Sequence, residues 1–385
     1  MRVALVASSY RPQAGGLERH VDELARGLAL RGADVEVLTQ CRPRGLARLS
    51  DSTGFTLRRF VAQQGDTRSP VAPGLWAYLR RTVRSFDLVH AHTREAPLAL
   101  AVLRTRPRRL VFTPHAAVRH MLRWPYARVM RAVIDHAAQT ICTSHAERDL
   151  LCGRFPEAAA RIHVVPTGVD VAAIQAARPF ALPGRVVLTV GPLQRYRRVD
   201  RAIAAMASLD PAFSLVAIGE GPTRNKLLAH AADLHVSSRV RLLGAIPDAA
   251  LYRWLRTARV VVTLAEHHPS GHQVAEGLTA GTAVVASDTP VHREAASYGD
   301  SAGVIFVSPE GSPLEVSDAI SRASEMFVES AAPMSIPRWS GVVDSTLTLY
   351  EAVIRGGPPP AKAGVASEHR RVADRRSAPD VGVQG

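Results

Sequence analysis

Residues 260–294 constrain the fold of this chain more than any other stretch. A β-branched run, Val260-Val-Val-Thr-Leu264, enters a polar, glycine-containing loop. The loop leads into a helical start that carries Glu276. After a Thr-Ala-Gly281 break a second apolar run begins, Ala283-Val-Val-Ala-Ser287. Two short apolar strands joined through one helix read as a parallel βαβ unit, half of a doubly wound sheet. A loop that ends at a helix N-terminus presents free N–H groups and the positive end of a dipole, which suits a phosphate. A carboxylate beside it, such as Glu276, can hold a ribose diol.

The same alternation runs along most of the chain. Residues 2–8 and 34–39 read as strands. Between them Leu17, Val21, Leu24 and Leu28 recur at helical spacing, and Gly32 stands where a helix would stop. Further strands are expected at 87–90, 110–113, 140–143 and 162–165. Ser144 followed by Glu147 has the form of a capping box. A second alternation begins after residue 185, with strands at 186–190, 214–218, 239–243 and 259–264 and helices at 199–208, 223–234 and 248–256. This pattern implies an α/β protein with two Rossmann-like doubly wound domains facing each other across a cleft. The expected division is a first domain over 1–175, a linker at 176–184 and a second domain over 185–335. A helix at 336–355 packs back on the first domain, and a basic, disordered tail occupies 356–385. Ligands bind outside the carboxyl ends of such strands.

A chain of 385 residues accommodates two cores, and 46% hydrophobic content is ordinary for a globular protein. No apolar run approaches the roughly 20 residues of a membrane span. Cys41, Cys142 and Cys152 form no CxxC pair, which argues against zinc or disulfide scaffolding and fits a reducing cytosol. The net charge of +14 is segregated. Eighteen Arg and only four acidic residues fall between positions 42 and 131, and the remainder is balanced. Biased composition explains this, and so does a basic face for anionic lipid or an anionic acceptor, with Trp76, Tyr78, Trp124 and Tyr126 interleaved. No zinc finger, helix-turn-helix or RNA-binding signature is present, so nucleic acid is not an expected partner.

Three further segments offer chemistry. Gly15 and Gly16 follow the first strand and let backbone approach a ligand, although a simple turn would read the same way; they do not form GxGxxG. Val111-Phe-Thr-Pro-His115 sets a His at the carboxyl end of a strand. His90 and His92 follow another strand and read as loop residues. Thr189-Val-Gly-Pro-Leu-Gln-Arg-Tyr-Arg-Arg-Val-Asp200 gathers cations that suit phosphate oxygens.

In order and spacing these segments resemble the family 4 retaining glycosyltransferases of the GT-B fold, over residues 1–355. Gly15-Gly-Leu-Glu-Arg-His-Val21 resembles the family's glycine loop, and Thr113-Pro-His115 its cleft motif. By that resemblance His115 contacts the donor sugar near its reacting carbon, and Gly15 and Gly16 lie against the donor. In the family an Arg and a Lys neutralise the leaving diphosphate. Here Pro192 fills the Arg slot and Arg197 the Lys slot, with Arg195 as a substitute. Gly219 and Ile246 match donor-side loops, the second commonly reading the base. Gly271, Gln273 and Val274 would offer backbone to the phosphates, and Glu276 would hold the ribose. His268 takes the place of the family's first Glu, with Glu266 two positions away.

The resemblance implies transfer of a sugar from a nucleotide diphosphate sugar, of UDP or GDP type, with retention. No metal or cofactor is expected, and the acceptor is a glycolipid, polysaccharide or small metabolite. The catalytic expectation is His115, Arg197 and Glu276. The implied location is cytoplasmic, peripheral on the inner face of the membrane. The rival readings are a sugar-nucleotide epimerase of the same fold and a non-catalytic nucleotide-sugar binder.

Overall fold

The structure, a computed structural model, describes residues 1–13, 15–41, 48–52, 54–61, 72–93, 96–115, 126–266, 270–326, 328 and 335–357. The first half builds an eight-stranded sheet. Its strands are β1 (Arg2–Ala7), β2 (Asp34–Cys41), β3 (Leu49–Ser52), β4 (Phe55–Val61), β5 (Leu88–Thr93), β6 (Leu110–Pro114), β7 (Gln139–Cys142) and β8 (Ile162–Val164). Their order is β3-β4-β2-β1-β5-β6-β7-β8, parallel except for the β3–β4 hairpin at one edge. The second half builds a six-stranded parallel sheet from β9 (Arg185–Val190), β10 (Phe213–Ile218), β11 (Val240–Gly244), β12 (Val260–Thr263), β13 (Ala283–Ser287) and β14 (Val304–Val307). Its order, β11-β10-β9-β12-β13-β14, is that of a dinucleotide-type doubly wound sheet.

Both faces of each sheet are apolar because parallel strands are covered by helices on both sides. In the first sheet Ala4, Val6, Val89 and Phe112 face one layer, and Val3, Leu5, Val35 and Val111 face the other. The β3–β4 hairpin was absent from the sequence reading. Its strands carry Ser50, Asp51, Arg58 and Arg59, so the apolar alternation that marks a strand is weak there.

The helix Trp339–Arg355 lies on the first domain, against the helix Gly16–Leu30. Val343, Leu349, Tyr350 and Val353 enter the first domain's core. A Cβ added at Gly27 would stand 2.3 Å from Val343 Cγ2, so the two helices touch backbone to side chain. Arg109 donates to the carbonyls of Val353 and Ile354 at 3.0 and 2.9 Å, satisfying the last turn of that helix.

The expected domain boundary needs correction. Val169, Val171 and Ile174 belong to the second core, not the first. The expected linker is also packed. Phe180 stacks on Trp254 at 4.9 Å, Arg253 covers its ring, and its N–H donates to Thr257 Oγ1 at 2.8 Å. The chain instead crosses between domains just before Val169, whose N–H donates to Pro337 O at 2.8 Å, beside the returning strand at Arg338. The two crossings run side by side.

Part of the segregated positive charge is structural. Arg58 pairs with Glu36 at 2.8 Å and Arg131 with Glu157 at 2.6 Å. Tyr78 donates to Glu36 and rests on Phe60, so it faces the protein rather than a partner. Trp76 is 38% exposed, with Arg80 over its ring. Trp124, the Tyr126 side chain and the tail from residue 358 lie outside the described residues.

Candidate active site

Loops at the carboxyl ends of the strands of both sheets enclose a cavity of ≈ 580 Å³. Each sheet contributes loops at or beside its switch point, between β1 and β5 in the first and between β9 and β12 in the second. From the first come Gly15 and Gly16, after β1, and His115, after β6. From the second come Gly191, Pro192, Tyr196 and Arg197 after β9, Gly219 after β10, Ile246 after β11, and Ser270, His272, Gln273 and Glu276 after β12. Of the sequence-assigned residues, Gly15, Gly16, His115, Arg197, Gly219, Ile246, Gln273 and Glu276 line this one cavity.

Three assigned residues do not. Arg195 is exposed and off the cavity. It opens the 3₁₀ turn Arg195–Arg197, where three residues complete a turn, so residues two apart cannot share a face. With Arg197 buried and turned inward, Arg195 points out. Gly271 caps the helix His272–Thr279 at φ +56, and a Cβ there would meet Ala295 Cβ and Val291 O at 2.9 Å. Its glycine serves the packing of two helices. Val274 is fully buried in the second core, and its N–H donates to Gly271 O at 2.9 Å, so it has no donor left for a phosphate. His268 lies outside the described residues, and Glu266 pairs with Arg198 at 2.5 Å.

Gly219 earns its place by close approach. It sits at φ +142, and a Cβ there would stand 2.0 Å from Gly191 O. The loops after β9 and β10 can therefore touch only through glycine.

The electrostatic centre of the cavity is a ladder that crosses the cleft. Arg19 Nη1 donates to Glu276 Oε1 at 2.5 Å, and its Nη2 to Asp248 Oδ1 at 3.1 Å. Arg11 Nη2 reaches Asp248 Oδ2 at 2.7 Å, and its Nε pairs with Asp22 at 2.9 Å. The arginines come from the first domain; Asp248 and Glu276 come from the second. Burial raises the Glu276 carboxyl above its usual value, and the Arg19 guanidinium opposes this only in part. Burial works against the Arg19 charge, but Glu276 and then Asp248 hold it well above the ordinary guanidinium range. His272, beside Arg19 and Arg197, is pushed far below 6.5 by burial and by those cations. Its Nδ1 is within 2.8 Å of Ser270 Oγ. Gln273 is buried with its Oε1 unpartnered among the described residues, and it faces the cavity.

Behind His115 stands a cluster of imidazoles. His90 and His92 are not loop residues. They lie buried on β5, His90 between Tyr350 Oη (2.5 Å) and Thr113 Oγ1 (2.8 Å), and His92 Nδ1 3.1 Å from His115 Nε2. His20, on the helix Gly16–Leu30, closes the group. Burial holds His20 at about 4 and His92 well below 6.5, so both are neutral at pH 7.

A parallel double sheet with a cleft lined by a glycine turn, a strand-end His and buried Arg–Glu pairs matches known proteins along its length. The family pattern described as Glycosyltransferase Family 4 matches residues 14–173, and that described as Glycosyl transferases group 1 matches residues 170–331. The chain belongs to the family 4 glycosyltransferases.

Glycogen synthase of Mycobacterium tuberculosis H37Rv is 28% identical over 424 residues, covering 96% of this chain and 99% of that protein. D-inositol 3-phosphate glycosyltransferase of Acidothermus cellulolyticus is 28% identical over 442 residues, covering 99% and 94%. Among solved structures, HepE of Anabaena in complex with UDP and glucose superimposes with a TM-score of 0.70 at 17% identity, covering 91% of this chain and all of that one. The fold is GT-B.

In this glycosyltransferase, sequence reasoning missed Arg11, Arg19, Asp248 and His272. Arg19 carried a signal, since it stands within the Gly15-Gly-Leu-Glu-Arg-His segment one turn from the helix start. Its partners are more than 200 residues away, and nothing local announces them.

Proposed function

We propose that this glycosyltransferase transfers a hexosyl unit from a nucleoside diphosphate sugar to an acceptor hydroxyl, with retention and without a bound metal. The observation that carries the reading is the convergence of Arg197, the N-terminus of the helix His272–Thr279 and Glu276 on one ≈ 580 Å³ cavity between two Rossmann-like sheets. That volume suits a nucleotide sugar. HepE, with the same fold, binds UDP and glucose.

The donor diphosphate lies at the helix N-terminus with Arg197 beside it, where fixed dipole and guanidinium stabilise the charge that builds as the glycosidic bond breaks. Glu276 takes the ribose hydroxyls. Ile246, in the loop after β11, lies against the base, and its neighbouring backbone groups read it. His115, opposite across the cleft, holds the sugar near its reacting carbon. The departing phosphate oxygen then accepts the acceptor's proton on the face it leaves, which gives retention without a carboxylate nucleophile. Cations and the helix end act where a divalent ion would. Asp248 and Glu276 are engaged by arginine, so they act in the ladder rather than as a metal pair. A relative of similar length acts on an inositol phosphate. The segregated arginines support an anionic acceptor or an anionic membrane surface in the same way. Among the described residues no helix is long and apolar enough to cross a membrane, so on this reading attachment is peripheral.

The test is thermal unfolding with UDP, GDP, ADP and NAD, without added metal. A ligand that binds only the folded protein raises its melting temperature by mass action. One nucleoside diphosphate is expected to do so, and the anomeric configuration of the product made with its sugar conjugates, read by NMR, is expected to match the donor's. No shift with any of them, or an inverted product, overturns the proposal.

A further inference from the structure

His20, His92 and His115 form a cluster that sugar transfer does not use in full. One ring nitrogen from each lies within 4.8 Å of one from each of the other two. The three ring centroids are 5.0, 5.4 and 5.6 Å apart. Three imidazoles on one tetrahedral zinc ion, with Zn–N about 2.0–2.1 Å, place their ring centres about 5.2 Å apart. The observed spacings bracket that figure. His92 Nδ1 and His115 Nε2, 3.1 Å apart, stand near the roughly 3.3 Å edge of such a tetrahedron.

A second observation points the same way. His20 and His92 are 5% and 0% exposed, and His20 Nδ1 has no hydrogen-bond partner among the described residues. A buried, unpartnered ring nitrogen beside two further imidazoles is unusual, because it is left without compensation for the water it lost. The rings are also fixed by their surroundings. His20 packs on Trp339 and His92 on His90, which is itself held by Tyr350 and Thr113. His115 alone of the three lines the cavity, so a fourth coordination position opens toward the donor sugar. Three imidazole ligands with one open position suit zinc, and after it copper(II) or nickel(II).

The geometry points to a three-histidine transition-metal site at the floor of the cleft, formed by His20, His92 and His115, whose occupation draws His115 away from the donor sugar and inhibits transfer. The binding stands on the cluster alone. The inhibition rests on the role given to His115 above. It differs from metal-assisted catalysis in direction, since the ion suppresses the reaction.

The experiment uses the full chain, stripped with a chelator and titrated with zinc chloride by calorimetry. Cobalt(II) absorption reports tetrahedral geometry. One zinc per chain is expected, weakened at least about tenfold in both His20→Gln and His115→Gln and unchanged in His136→Gln, a histidine on an exposed helix end. His115 is part-exposed, so its variant tests the site even if His20→Gln fails to fold. Absence of binding, or equal binding in all three variants, overturns the site. With zinc bound at the triad, turnover of the donor identified by thermal shift is expected to fall at least tenfold. Unchanged turnover would overturn the inhibitory role and the part assigned to His115, while leaving the metal site in place.

Discussion

Replacing Arg19 by methionine removes the guanidinium from Glu276 while keeping most of the side chain's volume. Glu276 is 3% exposed and Arg19's side chain 19%, so little water screens the pair. Two charges about 4 Å apart at an effective dielectric of 20 interact by about 4 kcal/mol. Removing one member of a buried pair costs about 3–5 kcal/mol because the other is left charged and unpaired. For a domain of this size each kcal/mol moves the melting temperature by about 2–4 °C, so Arg19→Met is expected to lower it by about 6–20 °C. Glu276→Gln removes the buried charge itself and leaves Arg19 with Asp248. Its cost is expected near that of one charged hydrogen bond, about 1.5–3 kcal/mol. The double variant should then lose well under the sum of the two single losses.

The pH dependence follows from the sign of the Glu276 shift. Burial already raises this carboxyl, and without Arg19 nothing opposes it. An acid whose folded value is raised is at its most stabilising below the unfolded value and loses that contribution as pH rises through the folded one. The gap between Arg19→Met and the parent should therefore widen from pH 5 to pH 8. Scanning fluorimetry on the four proteins at both pH values measures all of this. A loss under about 2 °C for Arg19→Met, additive single losses, or a gap that ignores pH would each refute the reasoning.

Three further outcomes are expected. Arg197→Ala should cut donor turnover by roughly 10²–10³, the about 2.7–4 kcal/mol of one lost charge-stabilising group, with the folded protein's melting temperature little changed; steady-state kinetics at saturating donor decides it. Gly219→Ala should lower the melting temperature by at least about 4 °C and abolish the shift given by the preferred nucleotide, because its Cβ would stand 2.0 Å from Gly191 O; intact nucleotide binding would remove the close-contact argument. His20 and His292 are both held at about 4 by burial, below the unfolded value near 6.5, so stability should fall as pH drops from 6.5 toward 4; melting curves across that window should flatten in His292→Asn, and a flat parent profile would contradict the burial of these rings.

What could be read in the sequence was local. The β-branched runs of β9, β12 and β13 are buried on both faces, so they stand out from the chain as continuous apolar segments. The glycine turn, His115, Arg197 and Glu276 were legible because each lies in the loop or helix that follows a strand's carboxyl end and matches a motif of the family. Errors arose where direction mattered more than position. Arg195 and Arg197 are two residues apart, and only the handedness of a single 3₁₀ turn separates surface from cavity. Gly271 and Val274 stand in the right loop but face the helix Pro290–Ser297 and the core. His92 reads as a loop residue because a histidine on a central strand departs from the apolar pattern, and only the neighbouring His20 and His115 account for it.

On the proposed reading, the cross-cleft ladder ties donor binding to the arrangement of the domains. Glu276 belongs to the second domain, but the cation paired with it belongs to the first. The same division recurs at the other end of the interface, where Glu294 of the second domain accepts from the N–H groups of His145 and Ala146, at the start of a first-domain helix, at 2.8 and 3.2 Å. A helix N-terminus and a guanidinium are both positive, and each is answered by a carboxylate from across the cleft. The cleft therefore closes onto two buried or half-buried carboxylates rather than onto an apolar seam. Separating the domains would strip both carboxylates of these partners and let water reach them. On the proposed reading, a donor whose ribose bonds to Glu276 meets a carboxylate already oriented by Arg19. On this argument Asp248→Asn, which loosens Arg11 and Arg19 together without touching the phosphate site, should raise the donor concentration needed for half-maximal rate more than it lowers the maximal rate. An effect confined to the maximal rate would mean that the ladder acts on the chemistry and not on closure.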